Sequence, residues 1–309
     1  MIVIPLILKI VELFIILIAA AAMMKLKLLR IEDSVGLSRV ILYLILPCVI
    51  INAFQTELTP ELAVQLAGST IAAVMFHLIF ILVSQFMKHV LHSSEVERAS
   101  VIYTNCGNLI IPLVTASLGA DWVIYVSMYI LVFNILMWTH GISLFDHEGG
   151  FRLKKILTNT NVIGIIIGSF LLLTGIRLPG PLNAAISSVA QSVGPLSMMV
   201  TGMVIGGMSM QEIRKYRKAA KVVLLRMLVC PALAILFILL TNAAGRIPSG
   251  REIVMISLLS ASAPSAGTIS QIAIVYHHDE RYASVISVLT TLACIVTMPF
   301  WIFVYELLV

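Results

Sequence analysis

Charged residues are scarce in this chain. Only 11% of its 309 residues are Asp, Glu, Lys or Arg, whereas 60% are hydrophobic, and the mean hydropathy is +1.06. Soluble globular domains carry about 25% charged residues, so the composition excludes that class. A helix needs about 20 predominantly apolar residues to cross the hydrocarbon core of a bilayer. The sequence therefore predicts an all-α polytopic membrane protein.

Cysteine is also scarce, and its spacing excludes two kinds of site. Cys48, Cys106, Cys230 and Cys294 lie far apart, each within an apolar segment. This spacing fits neither a disulfide framework nor a zinc site, so we expect buried free thiols. Residues 277–280 read His-His-Asp-Glu, but adjacent ligands in a tight turn rarely close around one ion. We expect no metal site and no cofactor.

Long polar stretches are missing as well. The longest loops, near 25–36, 146–158 and 210–218, are too short for a soluble domain. Ten apolar segments are long enough to be membrane spans. The predicted spans lie near 3–24, 37–54, 62–87, 96–118, 122–145, 159–176, 184–209, 219–241, 252–276 and 282–306.

Ten spans divide into two halves of five within one transmembrane domain, 1–309. We expect a first repeat at about 1–145, a cytoplasmic linker at about 146–158 and a second repeat at about 159–309. Because five is odd, the second half enters the bilayer from the opposite side. Two halves that share a fold then form an inverted repeat.

The basic residues are distributed unequally between the two sides of the predicted membrane domain. Fifteen fall in loops of one side and three in loops of the other. This positive-inside bias places both termini outside the cytoplasm, and it leaves no role for nucleic acid as a partner. The cytoplasmic set is Lys25, Lys27, Arg30, Arg39, Lys88, Arg98, Arg152, Lys154, Lys155, Arg214, Lys215, Arg217, Lys218, Lys221 and Arg281, against Arg177, Arg246 and Arg251.

Two predicted spans are interrupted by residues that a lipid-facing helix disfavours. Span 4 contains 104–112, TNCGNLIIP, and span 9 contains 262–267, SAPSAG. Backbone released from a helix at membrane depth is tolerated only where it is buried in protein or lines a cavity. Interrupted spans at equivalent places in two halves are typical of a transporter's binding site. The sequence therefore predicts a solute carrier.

The prolines of these spans predict where the second helical segments begin. Pro112 suits a first helical position, which leaves free N–H groups around Leu113 and Val114, and Pro264 does the same around Ser265 and Ala266. Each helix start carries roughly half a positive charge, which favours an organic anion. The predicted substrate-binding residues are Asn105, Gly107, Asn108, Pro112, Pro264, Ser265 and Gln271, with Thr268 as a further donor. The alternative interpretation is a proline kink with small residues for close helix packing.

Four ionisable residues within the spans are candidates for coupling or charge compensation. Glu12 lies three residues after Lys9, so the two share a helix face and can form an ion pair. His77 and His140 are candidate proton carriers, although a structural hydrogen bond is the more common role. Arg226 either extends to the cytoplasmic interface or meets a second carboxylate of the substrate. A proton, a sodium ion and no coupling all stay open.

Two further interpretations concern small residues. Gly202, Gly206 and Gly207 in span 7 favour close helix approach, within the protein or between two copies in a homodimer. Ser265 suggests an intramembrane hydrolase as an alternative of another class. No histidine or aspartate at helical spacing activates it, and a Gly-x-Ser-x-Gly elbow is absent.

A series of short motifs runs in order along the chain. It comprises Asn105-Cys106-Gly107-Asn108 through Pro112-Leu113, Leu118-Gly119-Ala120, Asn134, Trp138-Thr139, Gly141, Ala263-Pro264, Tyr276, Ala283-Ser284 and Thr297-Met298-Pro299. In these motifs, and over essentially its whole length, the chain resembles the auxin efflux carrier family. That family includes bacterial malate and malonate permease-like proteins and the plant PIN transporters.

The resemblance implies two inverted five-span repeats whose broken spans 4 and 9 cross, as in bile acid–sodium symporters. It implies a scaffold of spans 1, 2, 6 and 7 and a transport domain that moves against it as an elevator. Asn105, Asn108, Pro112 and Pro264 then form the crossover site. The bacterial members imply the inner membrane of a bacterium and a dicarboxylate such as malate or malonate.

The chain departs from the plant members in two respects. It has only a short linker between the halves, and it carries Asn-Cys-Gly-Asn at 105–108 where plant members commonly show Asn-Pro-Asn. An aromatic monocarboxylate such as auxin is therefore the alternative substrate, exported by the same fold.

Overall fold

The computed structural model describes residues 3–146 and 153–309. Within these ranges the chain is helical and forms no strand, and extended backbone pairs at one isolated bridge, between Thr104 and Ser265. The predicted all-helical membrane class is confirmed. Residues 147–152 of the predicted linker at 146–158 lie outside the described residues.

Residues 3–146 form eight α-helices. They are α1 (Val3–Lys25), α2 (Ile31–Val40), α3 (Leu46–Ala53), α4 (Pro60–His89), α5 (Glu95–Ile102), α6 (Ile111–Ser117), α7 (Val123–Leu136) and α8 (Ile142–Phe145). Three π-helical segments, Ile41–Ile45, Cys106–Ile110 and Met137–Gly141, and the 3₁₀ turn Ala120–Trp122 join neighbouring helices.

Residues 153–309 form ten more α-helices. They are α9 (Leu153–Leu157), α10 (Thr160–Thr174), α11 (Gly180–Gln191), α12 (Val193–Gly207), α13 (Met210–Lys215), α14 (Ala219–Leu224), α15 (Cys230–Thr241), α16 (Gly250–Ser262), α17 (Thr268–Val275) and α18 (Glu280–Leu308). The π segment Leu225–Val229 joins α14 to α15, and the 3₁₀ turn Ala243–Arg246 follows α15.

Within the described residues, six helical stretches are long and apolar enough to cross a membrane. They are Ile31–Ala53, Pro60–His89, Ala120–Phe145, Gly180–Gly207, Ala219–Thr241 and Glu280–Leu308. Cys106–Ser117 and Thr160–Thr174 are shorter apolar helices. Each of the ten predicted segments contains helix, and predicted spans 4 and 9 are the ones divided by extended backbone. The protein is therefore an integral membrane protein.

Local capping fixes where the helices start. Thr59 accepts a hydrogen bond from the Leu62 N–H at 3.1 Å, immediately before α4, whose 30 residues extend about 45 Å. Ser94 and Glu97 form a reciprocal capping box at the start of α5. The Asp279 carboxylate accepts from the Tyr282 N–H at 2.9 Å at the start of α18. These polar caps satisfy N–H groups that a helix leaves without partners.

The helices pack in two groups. In the first group, α1 packs along α12, and α3 contacts α10 and α11. In the second group, α4 contacts α5, α7 and α16, while α18 contacts α14 and α17. α6 follows α5 of the second group along the chain, and it contacts α1 and α12 of the first group. The break in predicted span 4 therefore lies where the two groups meet.

Glycines allow the close contact between α1 and α12. A Cβ at Gly202 would lie 2.1 Å from the Leu17 carbonyl oxygen, and one at Gly206 would lie 2.6 Å from that of Ala21. Both oxygens belong to the backbone, which cannot rotate away as a flexible side chain could, so a larger residue would not fit at either position. The small residues of predicted span 7 thus serve helix packing within the protein, as one of the two interpretations proposed.

Candidate functional site

The first helix break divides α5 from α6. Tyr103 is extended, with φ −98° and ψ 123°, and Asn105 has φ −81° and ψ 49°. The π segment Cys106–Ile110 follows and continues directly into α6. The Leu109 N–H donates to the Asn105 carbonyl at 3.2 Å, so helical hydrogen bonding resumes at Asn105. The second half of this span therefore starts at Cys106.

The second helix break divides α16 from α17. α16 ends at Ser262, Ala263 is extended with φ −63° and ψ 154°, and α17 begins at Thr268. Pro264 accounts for this break because a proline disfavours helical geometry in the residue before it and has no N–H to donate.

The two breaks lie against each other and satisfy each other's backbone. The Asn105 N–H donates to the Pro264 carbonyl at 2.8 Å, and the Ala266 N–H donates to the Tyr103 carbonyl at 3.0 Å. Thr104 and Ser265 face each other in the antiparallel bridge between these two bonds. Non-helical backbone at membrane depth is stable only when it is paired in this way. We call this arrangement the crossover.

The helix starts differ from those predicted. Pro112 is the second residue of α6 but comes six residues after the second segment begins at Cys106, so the N–H groups without a backbone acceptor within the helix are those of Cys106, Gly107 and Asn108. The prediction of free amides at Leu113 and Val114 was wrong. The helix continues from the π segment through Pro112 into the rest of α6, so the missing N–H of Pro112 does not end it.

The predicted amides of the second break are already engaged. The Ser265 N–H donates to Thr290 Oγ1 at 3.1 Å, and the Ala266 N–H belongs to the crossover pairing. The prediction that both amides are exposed to a ligand was wrong. Gly267, which is exposed, and Thr268 carry the first N–H groups of α17.

The predicted site residues of the first break remain accessible. Asn105 and Gly107 are half-buried and Asn108 is exposed, whereas Pro112 is buried. Asn161, in the first turn of α10, lies beside them. Its Nδ2 is 3.8 Å from the position that a Cβ would take at Gly107, and its Oδ1 is buried without a hydrogen-bond partner among the described residues.

The predicted site residues of the second break are less accessible. Pro264 is buried, Ser265 is only 1% exposed, and Gln271 is exposed one turn into α17. Ser265 Oγ has no hydrogen-bond partner within residues 3–146 and 153–309. A serine nucleophile needs a base within hydrogen-bond reach. The geometry therefore gives the hydrolase alternative no support.

Arg226 lacks one of its two predicted roles, the extension to the cytoplasmic interface. Its side chain is fully buried, so it does not extend to the interface. The guanidinium donates to the carbonyls of Val101, Ala261 and Ala263 and stacks on Phe80 at 5.0 Å. These carbonyls belong to the ends of α5 and α16, immediately before the two breaks. Arg226 is therefore a structural part of the crossover.

The other ionisable candidates lie in different surroundings. Glu12 accepts a 2.7 Å hydrogen bond from Lys9, which confirms the predicted pair, and both side chains are partly exposed. His77 is fully buried, with Nδ1 2.7 Å from the Ala73 carbonyl. His140 Nδ1 is 2.9 Å from the hydroxyl of Tyr103, whose carbonyl takes part in the crossover.

A buried carboxylate, which the sequence analysis missed, fixes the start of α5. Glu97 accepts hydrogen bonds from Lys221 at 3.1 Å and from the Tyr282 hydroxyl at 2.8 Å. Tyr216 stacks on Tyr282 and donates to Asp279 at 3.1 Å. Desolvation, followed by this hydrogen bond, raises the pKa of Tyr216. The starts of predicted spans 4, 8 and 10 are thereby tied together.

Thr290 and Asn161 were also missed. Thr290 lies in a continuous apolar helix, and Asn161 lies at the start of another, so neither breaks a pattern that would single it out. An amide at the start of an apolar span is a weak signal, since the same residue type commonly caps helices.

Comparison with known proteins covers nearly the whole chain. The sequence model of a family described as "Membrane transport protein" matches residues 5–302. No curated protein matches the chain.

Proposed function

Because this chain belongs to the Membrane transport protein family, which is the auxin efflux carrier family, we propose that it is a secondary transporter of a small organic anion. We propose dicarboxylates such as malate and malonate as its substrates. The observation that carries the proposal is the crossover, where two interrupted helices meet. Such interrupted helices form the substrate sites of transporters with repeated halves.

The first break supports an anionic substrate. The N–H groups of Cys106, Gly107 and Asn108 lie in the first turn of an apolar helix that extends from Cys106 to Ser117. The start of a helix carries roughly half a positive charge, and its free N–H groups donate to anions. Arg226 lies behind the same crossover, where its positive charge offsets the negative ends of α5 and α16.

The side chains around the first break supply further hydrogen bonds for carboxylates. Asn105 immediately precedes the π segment and Asn108 lies on it, one on each side of Gly107 in the sequence, and the amide of Asn161 approaches Gly107 from α10. Two carboxylates of one small substrate have donors on both sides of Gly107. A single aromatic carboxylate would use only one of them.

The packing of the helices supports alternating access as the mechanism. We propose that the group containing α1–α3 and α10–α12 is the scaffold and that the group containing the crossover moves against it. α6 contacts α1 and α12, so the crossover lies at the surface between the two groups. Movement along this surface would expose one site to each side of the membrane in turn.

The membrane arrangement belongs to the same proposal. Ten spans in two inverted repeats, with both termini outside the cytoplasm of a bacterial inner membrane, agree with the distribution of basic residues. The short apolar helices Cys106–Ser117 and Thr160–Thr174 then complete spans 4 and 6.

Uptake of radiolabelled malate into proteoliposomes tests the proposal. We expect uptake that malonate inhibits, measured with and without an inward proton gradient. Acceleration by the gradient would assign proton coupling, for which Glu12, His77 and His140 are the residues to replace. Absence of malate uptake, together with binding of an aromatic monocarboxylate, would contradict the dicarboxylate proposal and favour the auxin-like alternative.

A further inference from the structure

Arg226 lies in the π segment that joins α14 to α15, and its side chain is completely buried. Nε and one terminal nitrogen donate to the Ala263 carbonyl at 3.0 and 2.9 Å. The other terminal nitrogen donates to Val101 at 3.0 Å, and a fourth bond reaches Ala261. One side chain thus binds the carbonyls at the ends of the helices that precede both breaks.

These carbonyls are negative for a general reason. The last carbonyl groups of a helix have no intrahelical donor, and the helix dipole places about half a negative charge there. Val101 lies in the last turn of α5, and Ala261 and Ala263 lie at the end of α16. Two negative helix ends therefore converge on one point behind the crossover.

Carboxylates do not neutralise Arg226. Among the ion pairs of residues 3–146 and 153–309, none includes it. The guanidinium also stacks on the ring of Phe80, at 5.0 Å. Among the described residues, the partial negative charges of the two helix ends offset the guanidinium charge.

Transporters with interrupted helices commonly use such helix ends for a coupling cation. Unwound carbonyls and the C-terminal ends of half-helices coordinate Na⁺ there. We propose that Arg226 is a built-in cation, which occupies the carbonyl ligands that a coupling metal cation would need and holds the two breaks together. Arg226 is a positioning residue, and its effect on anion transport rests on the proposed function.

Removal of the guanidinium leaves a defined vacancy in this arrangement. An Arg226→Ala variant keeps three carbonyls directed at a buried space with no positive charge. A small planar cation of the same chemistry, free guanidinium, fits that space and restores the hydrogen bonds. Arg226→Lys keeps the charge but loses the forked donor geometry.

The first experiment measures thermal unfolding of the purified full-length protein. We expect Arg226→Ala to unfold at a lower temperature and to be restabilised by dilute guanidinium chloride but not by choline chloride. Arg217→Ala, which removes an exposed arginine, is the control and should show neither effect. Destabilisation that guanidinium does not reverse would overturn the proposal, as would a variant as stable as the wild type.

The second experiment compares the wild type in different salts, so that comparison does not depend on the alanine variant folding. We expect the unfolding temperature of the wild type to be the same in sodium, potassium and choline chloride. A saturable stabilisation by Na⁺ would overturn the proposal. Arg226→Lys should retain part of the stability that Arg226→Ala loses, and equal losses in the two variants would contradict the role of the charge.

Measurements of malate uptake test the substrate proposal and the built-in cation together, and they distinguish failure of one from failure of the other. We expect Arg226→Ala to lose uptake by about tenfold or more, because charge-assisted buried hydrogen bonds are lost, and free guanidinium to recover part of it. If no variant or wild type transports malate but guanidinium still restabilises Arg226→Ala, the substrate proposal fails and the built-in cation stands. If the wild type transports malate only with Na⁺, the built-in cation fails and the transporter stands.

Discussion

The two helix breaks have the same backbone pattern but present different chemistry. The first break carries two asparagines and a glycine that remain accessible, and its helix start has free N–H groups. The second break is buried, and its N–H groups at Ser265 and Ala266 are bound by Thr290 and Tyr103. The first break can therefore meet a ligand, whereas the second mainly supports it.

This difference shows how an inverted arrangement becomes asymmetric. Pairing the backbone of one break against the other leaves each with fewer free groups. Side chains then decide which face is open, and the asparagines lie on one side only. The second break holds the first in place through backbone hydrogen bonds, and the first break supplies the hydrogen-bond donors for a ligand.

The largest effect should come from fixing the first break to the scaffold. In a chain whose native cysteines are replaced, Gly107→Cys and Asn161→Cys should be joined by a short thiol-specific cross-linker. A Cβ at 107 meets only Asn161, at 3.8 Å, so both cysteines fit. We expect malate uptake to stop and to return when the cross-link is reduced.

Single-cysteine variants treated with the same reagent are the control for this cross-link. Treatment should reduce their own uptake less than it reduces that of the double variant, since the reagent then joins nothing. Continued uptake by the cross-linked double variant would mean that the two helix groups do not move past each other at this point.

Asn108→Ala should have the next largest effect. Loss of a hydrogen bond to a charged group costs about 1.5–3 kcal/mol, which corresponds to roughly tenfold to a hundredfold in apparent affinity. Inhibition of labelled malate uptake by unlabelled malate measures it. Gln191→Ala removes an exposed amide at the end of α11, away from the breaks, and should leave the affinity unchanged. Equal values for both variants would remove the first break from the site.

Thr290→Val should affect stability rather than affinity. The change leaves the Ser265 N–H buried without an acceptor, which costs about 1–3 kcal/mol of unfolding free energy. Thr291→Val is a matched control, because Thr291 is also buried and also bonds its own helix, to Ser287, without reaching the break. Thermal unfolding of the two purified variants measures the difference, and no difference would mean that the second break does not depend on Thr290.

Gln271→Ala should have the smallest effect. Gln271 is exposed one turn beyond the second break, and a neutral hydrogen bond is worth about 1 kcal/mol, so we expect an affinity loss of roughly threefold to sixfold. Gln211→Ala, exposed in α13, is the control for a surface amide. A loss as large as that of Asn108→Ala would mean that the two breaks contribute equally to substrate binding.

The fold was more predictable than the site. Apolar length predicts helices independently of packing, and the prolines and glycine of the two breaks predict interruption within each span. Pro112 was misleading because a proline near the start of a helix and a proline after a π segment give the same sequence pattern. Only the conformation of Cys106–Ile110 distinguishes the two.

The site depends on contacts between residues far apart in the chain. Arg226 reaches Val101 across 125 residues, and Thr290 reaches Ser265 across 25. A buried arginine among apolar residues indicates that a partner exists, since an unpaired charge there is costly. It does not indicate that the partners are carbonyls rather than carboxylates.

The sequence by itself determined that the chain is an apolar helical membrane protein with two interrupted segments, because hydrophobicity and backbone preference act over a few residues. Only the tertiary structure decided which amides are free. The pairing of the breaks consumes the N–H groups of Asn105 and Ala266, Thr290 takes that of Ser265, and Arg226 binds the helix ends behind them. Hydrogen-bond partners are chosen by distance in space, which no local pattern of residues records.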